Sequence, residues 1–584
     1  MIPRIDQTSP VQALYLSFID RLRASGFSGD LNPDYATRTV LATDNSIYQV
    51  LPQGVIYPRD KADLVAIVKL SQLPEFTGIV LSPRGGGTGT NGQSLTDGLV
   101  VDTSKYMNQI LEINAEERWV RVQCGVVKDQ LNAAIKPYGL FFAPELSTSN
   151  RATIGGMINT DASGQGSCRY GKTRDHVLEL TTVLLDGSEW TSQAISDDEF
   201  ASISARADRV GQVHKTIDSI QREHADLIAA KFPKLNRCLT GYDLAHIRDE
   251  QGHFNLNNIL CGSEGTLGFI VEAKINLLVT PKYSALINVN YRDFNAALRD
   301  ATQLMKADPT SIETVDSKVL NLAMKDIVWH SVAEFFPAPA SGEKIQGINL
   351  VEYTAHDEAE LNAAVKKFTD QLDADAQNEN NVRISYSVAW GNEAVNKIWG
   401  MRKKAVGLLG GSAGEARPIP FVEDTAVPPE NLADFILEFR QLLDENNLAY
   451  GMFGHVDAGV LHVRPAIDMK DPEQEKLVRM ISDRVAELTQ KYNGLLWGEH
   501  GKGVRSEYAP KFFGELYPQL QRIKAEFDPH NQLNPGKIAT PAKDIELLKI
   551  DGVTTRGQTD RKIIAQVWEG YSEGMHCNGN GLCY

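Results

Sequence analysis

Apolar positions first fall into register at residues 11–25, where their spacing predicts a helix. Short apolar runs and amphipathic stretches then alternate. Val55, Ile56 and Tyr57 predict a strand that Pro58 ends, and DKADLVAIVKLSQL predicts a helix over 60–73 opened by Asp60 and Asp63. Residues 79–81 and 99–102 predict two more strands. WVRVQC at 119–124 alternates like a half-buried strand, and a helix over 128–136 is stopped by Pro137 and Gly139. Residues 205–235 form a charged helical stretch. From about residue 283 the rhythm changes to strand (285–291), helix (294–306), strand (347–353) and helix (358–372), which predicts a separate α+β module. YGMFG at 450–454 and VLHVR at 460–464 predict a hairpin, and 471–491 a long amphipathic helix. LNPGK at 533–537 closes the compact part, and the polar chain beyond about 545 reads as a linker.

Composition narrows the class. Of 584 residues, 42% are hydrophobic and 23% charged, as in soluble globular proteins, so collagen-like, disordered and disulfide-stapled chains are excluded. The length alone suggests about four units. A formal net charge of −16 opposes a polyanionic partner, so no nucleic acid is expected. Cys124, Cys168, Cys238 and Cys261 are scattered, as in a reducing compartment, whereas Cys577 and Cys583 stand together near the end. The opening MIPRIDQTSP has no basic segment leading into an apolar one, and no run of about 18 apolar residues occurs. A cytoplasmic chain without a transmembrane segment is expected.

The densest glycine cluster is PRGGGTGTNG at 83–92. It holds a literal G-x-G-x-x-G at Gly87, Gly89 and Gly92, but polar residues and another strand follow instead of a helix. No acidic residue ends a strand at the spacing a ribose would need. The Rossmann reading is therefore rejected. Glycine still permits close backbone approach, and successive N–H groups can cradle phosphate. PELSTSNRATIGGMINTDASGQGSCRYG at 144–171 and GSEGTLG at 262–268 add two tracts of small and hydroxylated residues. Together the three imply an extended ligand held by backbone and hydroxyl groups.

Two further segments carry chemistry. In GHVDAGVLH, His455 and His462 are seven apart; they would face opposite ways on one straight strand but converge across a turn at 457–459. Glu499 and His500 lie in GLLWGEHGKG, where an apolar run enters a glycine loop. Two histidines and a carboxylate suit Zn, Mn or Fe, although spacing alone leaves hydrogen-bonded structural histidines open. Arg402, Lys403 and Lys404 form a basic run in IWGMRKKAVGLLG, either a solvated helix face or a fork for a carboxylate.

In combination, PRGGGTG, ATIGGMINTDASG, GSEGTLG and NPGKI resemble the flavoprotein family with the vanillyl-alcohol oxidase, or PCMH-type, FAD-binding fold. The chain looks like the first half of the large bacterial FAD and iron–sulfur D-2-hydroxyglutarate dehydrogenases. That resemblance implies an α+β fold: a helical segment at 1–47, an FAD-binding domain at 48–282, a substrate (cap) domain at 283–495, a return segment at 496–545, and a linker with the start of an iron–sulfur region at 546–584. It implies a pyrophosphate cradle of Arg84, Gly85, Gly86, Gly87, Thr88, Gly89, Asn91 and Gly92. Pro144, Thr153, Gly155, Gly156, Asn159, Ala162, Ser163, Gly164 and Gly171 would line the flavin. Gly262, Gly268, Ile270 and Asn534 complete the cofactor set. Thr88 stands where covalent relatives carry histidine, so FAD is expected to be non-covalent.

The same resemblance makes His455, His462 and Glu499 metal ligands and His500 the catalytic base, with VDAGV in place of the usual GDGN-type turn. It gives Arg402 the C1 carboxylate; Lys404 is the candidate for the distal one, because relatives' additional lysine is missing from RPIPFVED at 417–424. His500 would take the hydroxyl proton while the C2 hydride passes to flavin, giving 2-oxoglutarate. Cys577 and Cys583 are two of the four ligands a [4Fe–4S] cluster needs, so the cluster is expected only in a longer chain. The acceptor is left open, as is assembly into a homo-oligomer. A D-lactate or glycolate dehydrogenase of the same fold and a non-catalytic flavin electron-transfer subunit are the alternatives.

Overall fold

The computed structural model describes residues 10–378, 381–410 and 415–561. Cys577 and Cys583 lie outside them. Three sheets organise the chain. In the first, strands Gly54–Tyr57, Leu99–Asp102 and Leu81–Arg84 pair in parallel, with Asp30–Asn32 antiparallel at the edge. The helices Ala13–Ala24 and Lys61–Ser71 pack on it through Phe18, Ile19, Leu22, Leu64, Ile67 and Val68. Asp60 caps the second of these by accepting from Asp63 N at 3.0 Å, as its position before the apolar stripe predicts. The strand expected at 79–81 instead runs from Leu81 to Arg84. Leu81 pairs with Leu99, so the strand ends where the glycine loop begins.

The second sheet is antiparallel, in the order Ile110–Asn114, Trp119–Gln123, Phe269–Asn276, Val177–Val183 and Glu189–Ser192. The charged stretch at 205–235 resolves into the helices Arg209–Glu223 and Ala225–Lys231.

The third sheet holds the strands Arg383–Trp390, Tyr283–Tyr291, Gly347–Ala355, Ser311–Asp316, Tyr450–His455, Val460–Ile467 and Arg417–Pro418 in that order. The two predicted strand–helix units are neighbours in it, paired antiparallel from Tyr283–Ala355 to Tyr291–Gly347. Strand alternation divides its faces. Ala285, Ile287, Val289, Val351 and Tyr353 join a core with the helices Phe294–Leu304, Glu358–Asp375, Leu432–Glu445 and Pro472–Lys491. Leu286, Val315, Leu350 and Phe453 point the other way, toward the helices Ser317–Lys325 and Asn392–Gly410. That second face carries the polar chemistry.

Residues 546–561 correct the linker expectation. Ile550 is buried, Leu548 N donates to Gly536 O at 2.9 Å, and Thr555 bridges to Tyr48. The polar look of this stretch reflects a surface strap that needs few apolar anchors. Among the described residues no helix is long and apolar enough to cross a membrane.

Candidate active site

A deep cleft with an empty volume of about 1680 Å³ lies between the glycine loops and the polar face of the third sheet. Gly85, Gly86, Gly87, Thr88 and Gly89 line one side, and Thr153, Gly155, Gly156, Asn159, Ala162, Ser163 and Gly164 another. Glu264, Gly265 and Ile270 add a third edge, and Arg402, His455, His462, Glu499 and His500 form the far wall. Most of the expected cofactor set is thus brought together. The loops fit too tightly for side chains: a Cβ on Gly164 would sit 1.7 Å from Glu145 O. Ser163 Oγ on this wall is buried without a hydrogen-bond partner among the described residues, which leaves it open to a polar ligand.

Several expected residues stand elsewhere. The Arg84 guanidinium turns from the cleft to Thr43 O (2.8 Å) and Leu41 O (3.3 Å), leaving its backbone on the wall. Asn91, Gly92, Pro144, Gly171, Gly262, Gly268 and Asn534 are not among the lining residues. Gly171 caps the short helix Ser167–Tyr170, and Gly268 packs against Thr182 and Val183. Asn91 Nδ2 donates to Gly501 O at 2.9 Å, and Gln93 Nε2 to His500 O at 2.5 Å, so the glycine loop holds the EHGKG segment. Asn534 Nδ2 donates to Gln93 O (2.8 Å) and Glu264 O (2.7 Å), tying the NPGK return to two cleft loops. Lys404 corrects the distal-carboxylate assignment: its ammonium pairs with Asp326 at 2.8 Å, outside the cleft, because its place on the helix faces away.

The hairpin decides how the histidines meet. A short turn at Val456–Ala458, closed by Gly459 at φ +68, sets His455 opposite Val460 and Phe453 opposite His462. A Cβ on Gly459 would lie 1.8 Å from Val427 O. Both histidines therefore share one face. His455 Nε2, His462 Nε2 and His500 Nε2 lie 3.3, 3.0 and 3.5 Å from one atom, Glu499 Oε1. The His462 and His500 rings stack, with centroids 4.9 Å apart and planes 9° off parallel.

Residues that the motifs did not reveal hold this cluster. Glu313 lies directly across the strand pair from His455 and meets its Nδ1, while its other oxygen accepts from Arg402 Nη2. Glu423 Oε1 lies 3.1 Å from His500 Nδ1, and its Oε2 accepts from Arg464 Nε at 2.5 Å. Asp424, at φ +74, accepts from Glu499 N and His500 N, both at 2.8 Å. Arg237 is fully buried and bridges Glu499 Oε2, Ser167 Oγ and Gly164 O. Arg237 and Glu313 stand alone in sequence and Glu423 and Asp424 end RPIPFVED, with no repeat or glycine context to mark any of them.

The field is correspondingly strong. Burial drives His462 down to about 4, so it presents neutral imidazole. Burial also works against a charged His500, but Asp424, Glu423 and Glu499 outweigh it and lift the group to about 9. Glu499 stays ionised, far below the usual carboxylate range, because Arg237 and His455 outweigh its burial. Asp424, His462, Glu499 and His500 form the compact donor group, their ligand atoms all within 4.8 Å of one another. Of the expected ligands this group holds His462 and Glu499, with His500 and Asp424 beside them, and His455 Nε2 stands 3.3 Å from Glu499 Oε1. The neutral His462 imidazole and the ionised Glu499 carboxylate are donors that a divalent cation takes.

Residues 52–192 match the FAD binding domain family, and residues 280–538 the family described as FAD linked oxidases, C-terminal domain. The chain is 63% identical to a D-2-hydroxyglutarate dehydrogenase of Pseudomonas putida, over 100% of this chain and 58% of that protein. It is 53% identical to one of Pantoea ananatis, over 100% and 57%. The chain therefore spans a little over half the length of these curated relatives. Among solved structures, p-cresol methylhydroxylase superposes with a TM-score of 0.64 at 12% identity, covering 91% of this chain and 98% of that one. The chain has the α+β PCMH-type, vanillyl-alcohol-oxidase-like fold, in which an FAD-binding domain meets a cap domain across the cleft.

Proposed function

We propose that this chain is the flavin half of an FAD-dependent dehydrogenase that oxidises D-2-hydroxyglutarate to 2-oxoglutarate. The observation that carries the reading is the convergence of three histidine Nε2 atoms on Glu499 at the far wall of a glycine-lined cleft. The relatives at 63% and 53% identity are D-2-hydroxyglutarate dehydrogenases, which supports the same substrate. FAD bound non-covalently beside Thr88 would supply the hydride acceptor, and a divalent cation held by His462, Glu499 and neighbouring donors would polarise the substrate hydroxyl.

The chain's own residues do the rest. Arg402, whose Nε is buried without a hydrogen-bond partner, orients the C1 carboxylate. With a divalent cation beside it to offset the carboxylates that lift it to about 9, His500 would be neutral and take the hydroxyl proton on Nε2, and Glu423, 3.1 Å from Nδ1, would stabilise the resulting imidazolium. The buried Arg237–Glu499 pair fixes the carboxylate around which the histidines gather. Electrons leave through an iron–sulfur half in a longer chain, with Cys577 and Cys583 as candidate ligands.

Anaerobic D-2-hydroxyglutarate should bleach the flavin absorbance of the purified chain. His500→Ala should keep its flavin and slow that bleaching by roughly 10²–10⁴-fold. Flavin that dithionite reduces but no 2-hydroxy acid does would leave only an electron-transfer subunit.

A further inference from the structure

Lys404 is turned away, Lys403 pairs with Glu145 and Arg402 with Glu313. A five-carbon substrate would still have its second carboxylate to place. Arg464 sits where that group would fall. It follows His462 by two residues on the strand Val460–Ile467, so both side chains leave the same face, about 6.6 Å apart along the strand. Arg464 lines the cleft and also a second cavity, whose lining includes Lys403, Lys404, Arg417 and Lys470. Arg464 thus stands at the junction of the two.

Arg464 is anchored and yet has capacity to spare. Nε donates to Glu423, and the guanidinium stands 5.8 Å from the Phe453 ring, the ring that Arg402 faces at 5.2 Å. Its Nη1 and Nη2 make no hydrogen bond among the described residues. Two donors held in a fixed fork are what a carboxylate takes. From a hydroxyl-bearing C2 near His462 and His500, three C–C bonds reach about 4 Å to the far carboxyl carbon. With the carboxyl C–O bond and a hydrogen bond of about 2.8 Å, the reach is about 8 Å, comparable with the two-residue step along the strand.

We propose that Arg464 receives the distal carboxylate and sets the preference for dicarboxylic over monocarboxylic 2-hydroxy acids, an inference that rests on the 2-hydroxy-acid reading of the cleft. The test compares D-2-hydroxyglutarate with D-2-hydroxyvalerate, which has a methyl group in place of the second carboxylate. Rapid-mixing flavin reduction in wild type, Arg464→Gln and Arg464→Lys is paired with calorimetric binding of 2-oxoglutarate and 2-oxovalerate. Arg464→Gln should lower kcat/KM for the dicarboxylate roughly 100-fold more than for the monocarboxylate, mainly through KM, while any loss shared by both acids reports the Glu423 contact. Arg464→Lys should recover part of the loss, and 2-oxoglutarate binding should weaken in parallel. Equal losses for both substrates would mean that Arg464 acts only through Glu423 and His500, and would overturn the proposal. So would no loss for either. If neither acid reduces wild-type flavin, the 2-hydroxy-acid reading itself fails, a distinct result.

Discussion

Gly164 shows how closely single residues are specified. With Glu145 O where its Cβ would be, Gly164→Ala must push two cofactor loops apart. Overpacking of this kind costs about 1–3 kcal/mol. A lower thermal midpoint and a reduced flavin-to-protein ratio are expected; full flavin content at an unchanged midpoint would show that the loops yield freely. This glycine was legible in the sequence because small residues cluster visibly. Arg237, Glu313, Glu423 and Asp424 were not. A buried charge is identified by its partners, and these lie 262, 142, 77 and 75 residues away, at Glu499, His455, His500 and Glu499 respectively.

At the scale of elements, the NPGK turn acts as a clamp on the glycine loop rather than as cofactor contact. Lys537 Nζ donates to Gln93 O (2.9 Å), Leu95 O (2.7 Å) and Asn534 Oδ1 (2.7 Å). Burial lowers the Lys537 ammonium from 10.5 to about 8. Between those values the unfolded chain binds the extra proton, so stability rises with pH across that window and is lost as pH falls to 8. Against Lys537→Met, wild type should gain about 3 kcal/mol from pH 8 to 10.5. Urea titrations at both ends measure the gain, and a pH-independent difference would refute it. The strands and helices themselves were largely readable from period. The register of Leu81–Arg84 and the sharing of one face by His455 and His462 were not, because pairing partners and a turn set them.

Across the whole molecule, Glu145 joins the two halves of the cleft. It takes Lys128 Nζ at 2.6 Å from the FAD-binding side and Lys403 from the helix Asn392–Gly410. The Lys128 side chain is 2% exposed, so Glu145→Ala leaves a buried ammonium unpaired. A destabilisation of about 3–5 kcal/mol is expected. An unchanged urea midpoint would show that Lys128 finds another partner.

Local sequence by itself determined the α+β rhythm, the glycine tracts and His455, His462, Glu499 and His500 as candidates, because backbone conformational freedom and side-chain type are properties of neighbouring residues. Only the tertiary structure decided which charges surround them, which histidines gather on Glu499, and that Lys404 lies outside the cleft while Arg464 lines it. Those outcomes depend on strand register and on ion pairs between segments far apart in the chain, and no local pattern encodes either.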